Sequence, residues 1–108
     1  GFGDVNGGGA EGHPLDWPKI QGCNQVLEKD FLRLTKPPAP KDVRPEPVLK
    51  AALKHIKAQY RASAQTGKPG YKWFWSQLKS IRQDLRVQHL RSKLTVQVYE
   101  THARIALE

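Results

Sequence analysis

A chain of 108 residues supports one small domain and little core beyond it, and its 18 Lys and Arg against 10 Asp and Glu give a formal net charge of +8. Cys23 is the single cysteine, which excludes an internal disulfide and the disulfide-stapled secreted class. No apolar run approaches the roughly 20 residues needed to cross a bilayer, and the Gly-rich start lacks a signal peptide's hydrophobic stretch, so no membrane partner is expected.

Residues 1–21 hold Gly7, Gly8 and Gly9 and few bulky apolar side chains beyond Phe2, Leu15 and Trp17. Such a segment buries too little to offset its ordering entropy and is expected to be disordered. In residues 25–34 the spacing of Val26, Leu27, Phe31 and Leu34 predicts a short helix, with Asn24 as its cap. Pro37, Pro38 and Pro40 then force extended backbone, which predicts a linker. The clearest helix runs from Pro45 to about Ala64: Pro45 and Pro47 suit its opening turns, and Leu49, Leu53, Ile56 and Tyr60 make one apolar stripe. Turn chemistry at Thr66, Gly67, Lys68, Pro69 and Gly70 breaks it.

A second helix follows, with Phe74, Leu78, Ile81 and Leu85 on the same rhythm, Trp73 and Trp75 widening its face, and an end near Gln88. A third runs from about Ser92 to the terminus. It carries two stripes, one of Leu94, Val98, His102 and Ile105 and one of Val96, Tyr99, Ala103 and Ala106, and a helix apolar on so much of its circumference sits between neighbours. The pattern predicts an all-α fold of stacked antiparallel helices, a helical-hairpin array. The chain starts on glycine, contains no methionine and closes on a helix-forming run without Gly or Pro, so it reads as a truncated piece of a longer chain.

Between Lys36 and Lys93 stand fourteen basic residues against three acidic ones, Asp42, Glu46 and Asp84. Lys50, Lys54, Lys57 and Arg61 share one face of the first long helix, and Lys79, Arg82 and Arg86 share one face of the second. Like charges four residues apart are mildly destabilising in an isolated helix. Phosphates of RNA would offset that penalty by counterion release; the other reading is that the long side chains lie over apolar flanks and stay wet. Trp73 and Trp75 stand near enough to the basic rows to stack on bases, although at helical spacing such aromatics serve a core more often.

No catalytic constellation emerges. Cys23 has no spacing to His13, His55, His89 or His102 that would define a nucleophile and base. Gly67-Lys68-Pro69-Gly70 lacks the upstream glycine and the Ser or Thr of a phosphate loop. The histidines never pair at metal-ligand spacing, and Asp84 has no acidic companion on its helix. No enzyme activity, cofactor, metal or small-molecule substrate is expected.

The run Leu78-Lys79-Ser80-Ile81-Arg82-Gln83-Asp84-Leu85, then Val87-Gln88, then Val98-Tyr99-Glu100-Thr101-His102-Ala103-Arg104-Ile105-Ala106-Leu107-Glu108, resembles the signature of the SAC/GANP family. Residues 27–35 and 43–49 look like the same family at its usual order and spacing. The resemblance covers residues 22–108 and is nearest to the leukocyte-receptor-cluster branch. It implies the N-terminal helical part of a PCI-type module that runs on into a winged helix. It also implies assembly with another PCI-domain protein and a small acidic subunit, in the nucleus, in transcription-coupled mRNA processing or mRNA export. The run 64–69, richer in Gly and Lys than the resemblance leads one to expect, is expected to lengthen one inter-helix loop.

Within the signature, Ile81 and Leu85 are expected to face the core. Arg82, Gln83 and Asp84 are expected to tie neighbouring helices by charge-assisted hydrogen bonds, and Glu100 with Arg104 to form an i to i+4 pair. Ser80, Tyr99 and His102 complete the set, to which a packing role is assigned.

Overall fold

A computed structural model describes residues 16–107. Three helices follow one another: α1 (Glu46–Thr66), α2 (Tyr71–Val87) and α3 (Lys93–Leu107), preceded by a 3-10 turn over Pro40–Asp42. Among the described residues there is no strand, and the chain is all-α. The links 67–70 and 88–92 are short enough to fold each helix back on the one before it.

The expected stripes build the core. Leu49, Leu53 and Ile56 of α1 meet Phe74, Leu78, Ile81 and Leu85 of α2 and Leu94, Val98 and Ile105 of α3, with Tyr60, Trp73 and Leu90 packed at the margins. Each of these large side chains, fully buried, contributes about 1.5–3 kcal/mol of transfer free energy, so the seam between the helices dominates the stability of the stack. Tyr60 meets Phe74 edge to face at 5.3 Å, in the geometry aromatic quadrupoles prefer.

Local chemistry sets the boundaries. Pro45 precedes α1, Pro47 lies in its first turn, and Leu49 N–H donates to the Pro45 carbonyl at 3.0 Å. Gly67 ends the helix with φ of 72°, a left-handed conformation that suits a residue without Cβ, and donates to Ser63 O. Residues 64–66 therefore continue α1 by its last turn, so only part of the run 64–69 adds to the loop. At the far end of α2, His89 adopts φ of 56°. His89 N–H donates to Arg86 O at 3.0 Å and Leu90 N–H to Leu85 O at 2.9 Å, the paired bonds of a Schellman motif, whose left-handed position His89 fills where glycine is usual. Ser92 opens α3: Thr95 N–H donates to Ser92 O, and Ser92 Oγ donates to Glu46 Oε2 at 2.7 Å, joining the starts of α3 and α1.

Two expectations change. Residues 25–34 are not helical. Asn24 Oδ1 accepts Val26 N–H at 2.9 Å as a cap would, yet no helix propagates from it; instead the chain runs extended across α2, with Leu27 and Leu32 exposed. The expected disorder of residues 1–21 falls partly outside the described residues, but 16–21 belong to the fold. Trp17 is only 2% exposed and forms a second core with Val43, Val87, Ile20 and Leu34, and Ile20 N–H donates to Val87 O.

Replacing His89 by glycine relieves the cost, about 1–2 kcal/mol, of holding an L side chain in a left-handed conformation, and it also removes a buried ring nitrogen, Nε2, that has no hydrogen-bond partner among the described residues. The expected outcome of His89→Gly is a higher melting temperature, read by circular dichroism.

Candidate functional site

α2 has two working faces. One carries the apolar stripe, and the other presents Ser76, Gln77, Ser80, Gln83, Asp84 and Gln88 at spacings that bring them along one side of the helix. These side chains hold the extended strap, residues 22–34, and the run 42–44. Gln77 Oε1 accepts Lys29 N–H at 3.0 Å while its Nε2 donates to Asp30 Oδ1 at 3.2 Å. Ser76 Oγ accepts Phe31 N–H, and Gln83 Nε2 donates to Leu32 O at 2.8 Å. Gln88 takes Gly22 N–H on its Oε1 and donates through Nε2 to the carbonyls of Arg44 and Asp84. An extended segment without a sheet partner must satisfy its backbone somewhere, and here helix side chains do it.

The centre of this network is Arg44, fully buried, against Asp84, itself 1% exposed. Arg44 Nε donates to Asp84 Oδ2 at 2.8 Å, Nη2 to Ser80 Oγ at 2.8 Å and Nη1 to Leu27 O at 3.1 Å; the Arg44 backbone N–H adds a bond to the same carboxylate oxygen. Lys29 Nζ reaches Asp84 Oδ1 at 2.8 Å and also donates to the Asp42 carbonyl. One carboxylate thus anchors two cations, Lys29 of the strap and Arg44 of the run 42–44. Gly22 lets the strap approach: a Cβ there would lie 2.3 Å from the Val43 carbonyl oxygen. Glu28 adds an outer tie to α1 through His55 Nε2 at 2.7 Å.

The residues singled out from the sequence separate into distinct places. Lys50, Lys54 and Arg61 are exposed and Lys57 half-buried on α1, where with Leu53, Leu94 and Gln97 they line an open cleft of about 280 Å³ between α1 and α3. No ion pair engages these four cations among the described residues. Lys79 and Arg82 lie elsewhere, at the seam of α2 with α3 and the strap: Lys79 Nζ sits 5.1 Å from the Phe31 ring centroid and 5.0 Å from that of Trp75, and the Arg82 guanidinium stacks 4.4 Å over Tyr99. Arg86 is half-buried in the last turn of α2. The two rows do not form one surface.

Within the signature, Ser80, Gln83 and Asp84 bind the strap and the run 42–44 and not a neighbouring helix, whereas Arg82 does reach α3, its Nη1 lying 3.2 Å from His102 Nδ1. Glu100 and Arg104 are both exposed and form no ion pair; in water such a pair gains less than its side-chain ordering removes. Trp73 packs on the core, but Trp75 is 40% exposed and turns to Phe31 and His102. Cys23 is exposed, and His13 lies outside the described residues. Among the described residues no group of three or more His, Cys, Asp or Glu side chains is placed to hold a metal ion, and no helix is long and apolar enough to cross a membrane.

Sequence reasoning missed Lys29, Ser76, Gln77 and Gln88, and the central place of Arg44. The available signal was the polar series Gln77, Ser80, Asp84 and Gln88, which repeats the three-and-four rhythm of the apolar stripe and is too regular for a face that merely meets water.

Three helices closed by an extended strap, locked through a buried arginine and aspartate, define the class: a strap-closed all-α domain. Residues 21–107 match the model of the SAC3/GANP family, and the chain belongs to that family. It is 52% identical over 96 residues to the leukocyte receptor cluster member 8 homolog of Xenopus laevis, covering 87% of this chain and 11% of that protein. It is 47% identical over 96 residues to SAC3 family protein A of Arabidopsis thaliana, covering 87% of this chain and 9% of that protein. With protein THP3 of Saccharomyces cerevisiae it shares 39% identity over 108 residues, 99% of this chain and 22% of that protein. The chain thus spans between about a tenth and a fifth of the length of these relatives.

Removing one partner of a buried ion pair leaves the other charge unpaired and costs about 3–5 kcal/mol. Asp84→Ala strands Arg44 and releases Lys29, so thermal melting is expected to show a large loss of stability; an unchanged melting temperature would mean that the strap does not depend on the carboxylate.

The pKa of His102 is lowered from its ordinary value of 6.5 by burial first, then by the Arg82 and Lys79 charges. The unfolded chain therefore binds a proton more readily than the folded one between the two values. Stability is expected to fall as the pH drops below 6.5 and through the lowered pKa, and His102→Gln is expected to flatten that part of the melting-temperature profile measured from pH 7.5 downward.

Proposed function

We propose that this chain is a non-enzymatic scaffold segment, acting by protein–protein assembly in nuclear mRNA processing, mRNP assembly or mRNA export. Family membership supports the setting, since the SAC/GANP resemblance implies the opening part of a PCI-type module that joins another PCI-domain protein and a small acidic subunit. One observation carries the assembly reading: the second stripe of α3 is open. Val96 is 56% exposed, and Ala103 and Ala106 are exposed beside it, while the polar residues that could have served chemistry are engaged in holding the strap. A helix with apolar residues on two faces is built to be covered on both.

A second reading, direct RNA contact, is favoured by the row Lys50, Lys54, Lys57 and Arg61, which has no ion pair among the described residues. Cations without an acidic partner can exchange counterions for phosphates.

The assembly reading is tested by retention from nuclear extract on immobilised chain, with bound proteins identified by mass spectrometry. Wild type is expected to retain a PCI-domain protein and a small acidic subunit, and Val96→Glu to lose them at an unchanged melting temperature. Equal retention by both would remove α3 as the assembly face.

A further inference from the structure

The α2–α3 seam carries an arrangement that neither the core nor the strap accounts for. Trp75, Lys79 and Arg82 follow one another at steps of four and three along α2, and Phe31 from the strap and Tyr99 and His102 from α3 close around them. Rings and cations are in mutual contact: Lys79 Nζ sits against both Phe31 and Trp75, which themselves meet edge to face at 6.3 Å, Trp75 and His102 stand edge to face at 6.5 Å between centroids, and Arg82 bridges His102 and Tyr99. Two features leave this patch incomplete. It holds two permanent cations with no ion pair to either among the described residues, and Arg82 Nε is buried without a hydrogen-bond partner. Its two largest rings, Trp75 and Tyr99, remain 40% and 39% exposed, although rings at a finished seam would be covered.

From this geometry we infer that the patch is a binding site for a single-stranded polynucleotide, with bases stacking on Trp75 and Tyr99 and phosphates meeting Lys79 and Arg82. Exposed aromatic surface beside cations is what unpaired nucleotides require, because every base offers a π-face and every linkage a negative charge. A duplex would hide the bases and offer phosphates alone. An acidic peptide would answer the cations but leave the rings unused. The lowered pKa of His102 is consistent with a neutral ring that adds aromatic surface at neutral pH. The inference rests on the nucleic-acid reading above and adds a place to it, separate from the α1 row.

The test uses the whole chain with fluorescently labelled oligouridine and oligothymidine, a matched oligomer in which the bases are replaced by abasic sites, a duplex of the same length, and polyglutamate as competitor. Tyr99→Ala is expected to weaken both single strands about tenfold, on the scale of one lost base stack, and to leave the abasic oligomer unaffected. Neutralising the α1 row by Lys50→Gln, Lys54→Gln and Lys57→Gln should instead weaken all oligomers alike. Since Tyr99→Ala could loosen Arg82, photo-crosslinking of wild type to thiouridine-substituted oligomer supplies a second readout, with adducts expected on Trp75 or Tyr99. The proposal is overturned by adducts confined to α1, by equal loss for abasic and natural strands, by preference for duplex, or by polyglutamate displacing the strand as effectively as free oligouridine does. Absence of any oligonucleotide binding overturns the site and the nucleic-acid reading together; binding that ignores Tyr99 and Trp75 overturns the site alone.

Discussion

The buried carboxylate of Asp84 is the constraint on which the architecture turns. Charged groups leave water only when their partners are fixed and their remaining hydrogen-bonding positions filled. Here Arg44 fills its own through Ser80 Oγ and the Leu27 carbonyl as well as the carboxylate, and the carboxylate takes Lys29 in addition. The pair is not an efficient source of stability compared with apolar packing of similar volume. What it supplies is direction, because a shift of the strap or of the run 42–44 along α2 would part a charge from Asp84.

Around that point, two kinds of cohesion divide the molecule. The seam of α1, α2 and α3 is held by area, through Leu, Ile, Val and Phe side chains that tolerate small shifts. The strap is held by direction, through amide and hydroxyl groups of α2 that accept one geometry. Gly22 shows how close the second interface is, because its backbone lies where any side chain would meet Val43. A helix that serves an apolar seam on one side and a polar clasp on the other has little freedom in sequence, which gives a physical reason for the signature run 78–88 to read as a block.

The helical part of the fold was legible because its cause is periodic. Leu49, Leu53, Ile56, Phe74, Leu78, Ile81 and Leu85 recur at helical spacing and all reach the core. Residues 25–34 carry a similar rhythm and are extended, since periodicity records apolar spacing and is blind to a distant donor such as Gln83 Nε2 waiting for Leu32 O. Trp17 was misplaced for a related reason: a glycine-rich composition says nothing of one indole that finds Val43 and Val87. The basic rows were legible as rows, but which cations would be shared with aromatic rings depended on the strap bringing Phe31 to Lys79 and on α3 bringing Tyr99 to Arg82, both tertiary facts. The ties from Lys29 and Arg44 to Asp84 span 55 and 40 positions, beyond the reach of any local pattern.

That separation has a consequence for how the chain comes into being. During synthesis the strap leaves the ribosome well before the helix that will receive it, and it must remain without its partner until α2 has formed. The hairpin of α1 and α2, closed by a four-residue link, needs only short-range encounters and can assemble early, whereas seating the strap closes a far longer loop at greater entropic expense. On these grounds the strap, made before α2, is expected to be seated only after the α1–α2 hairpin has formed.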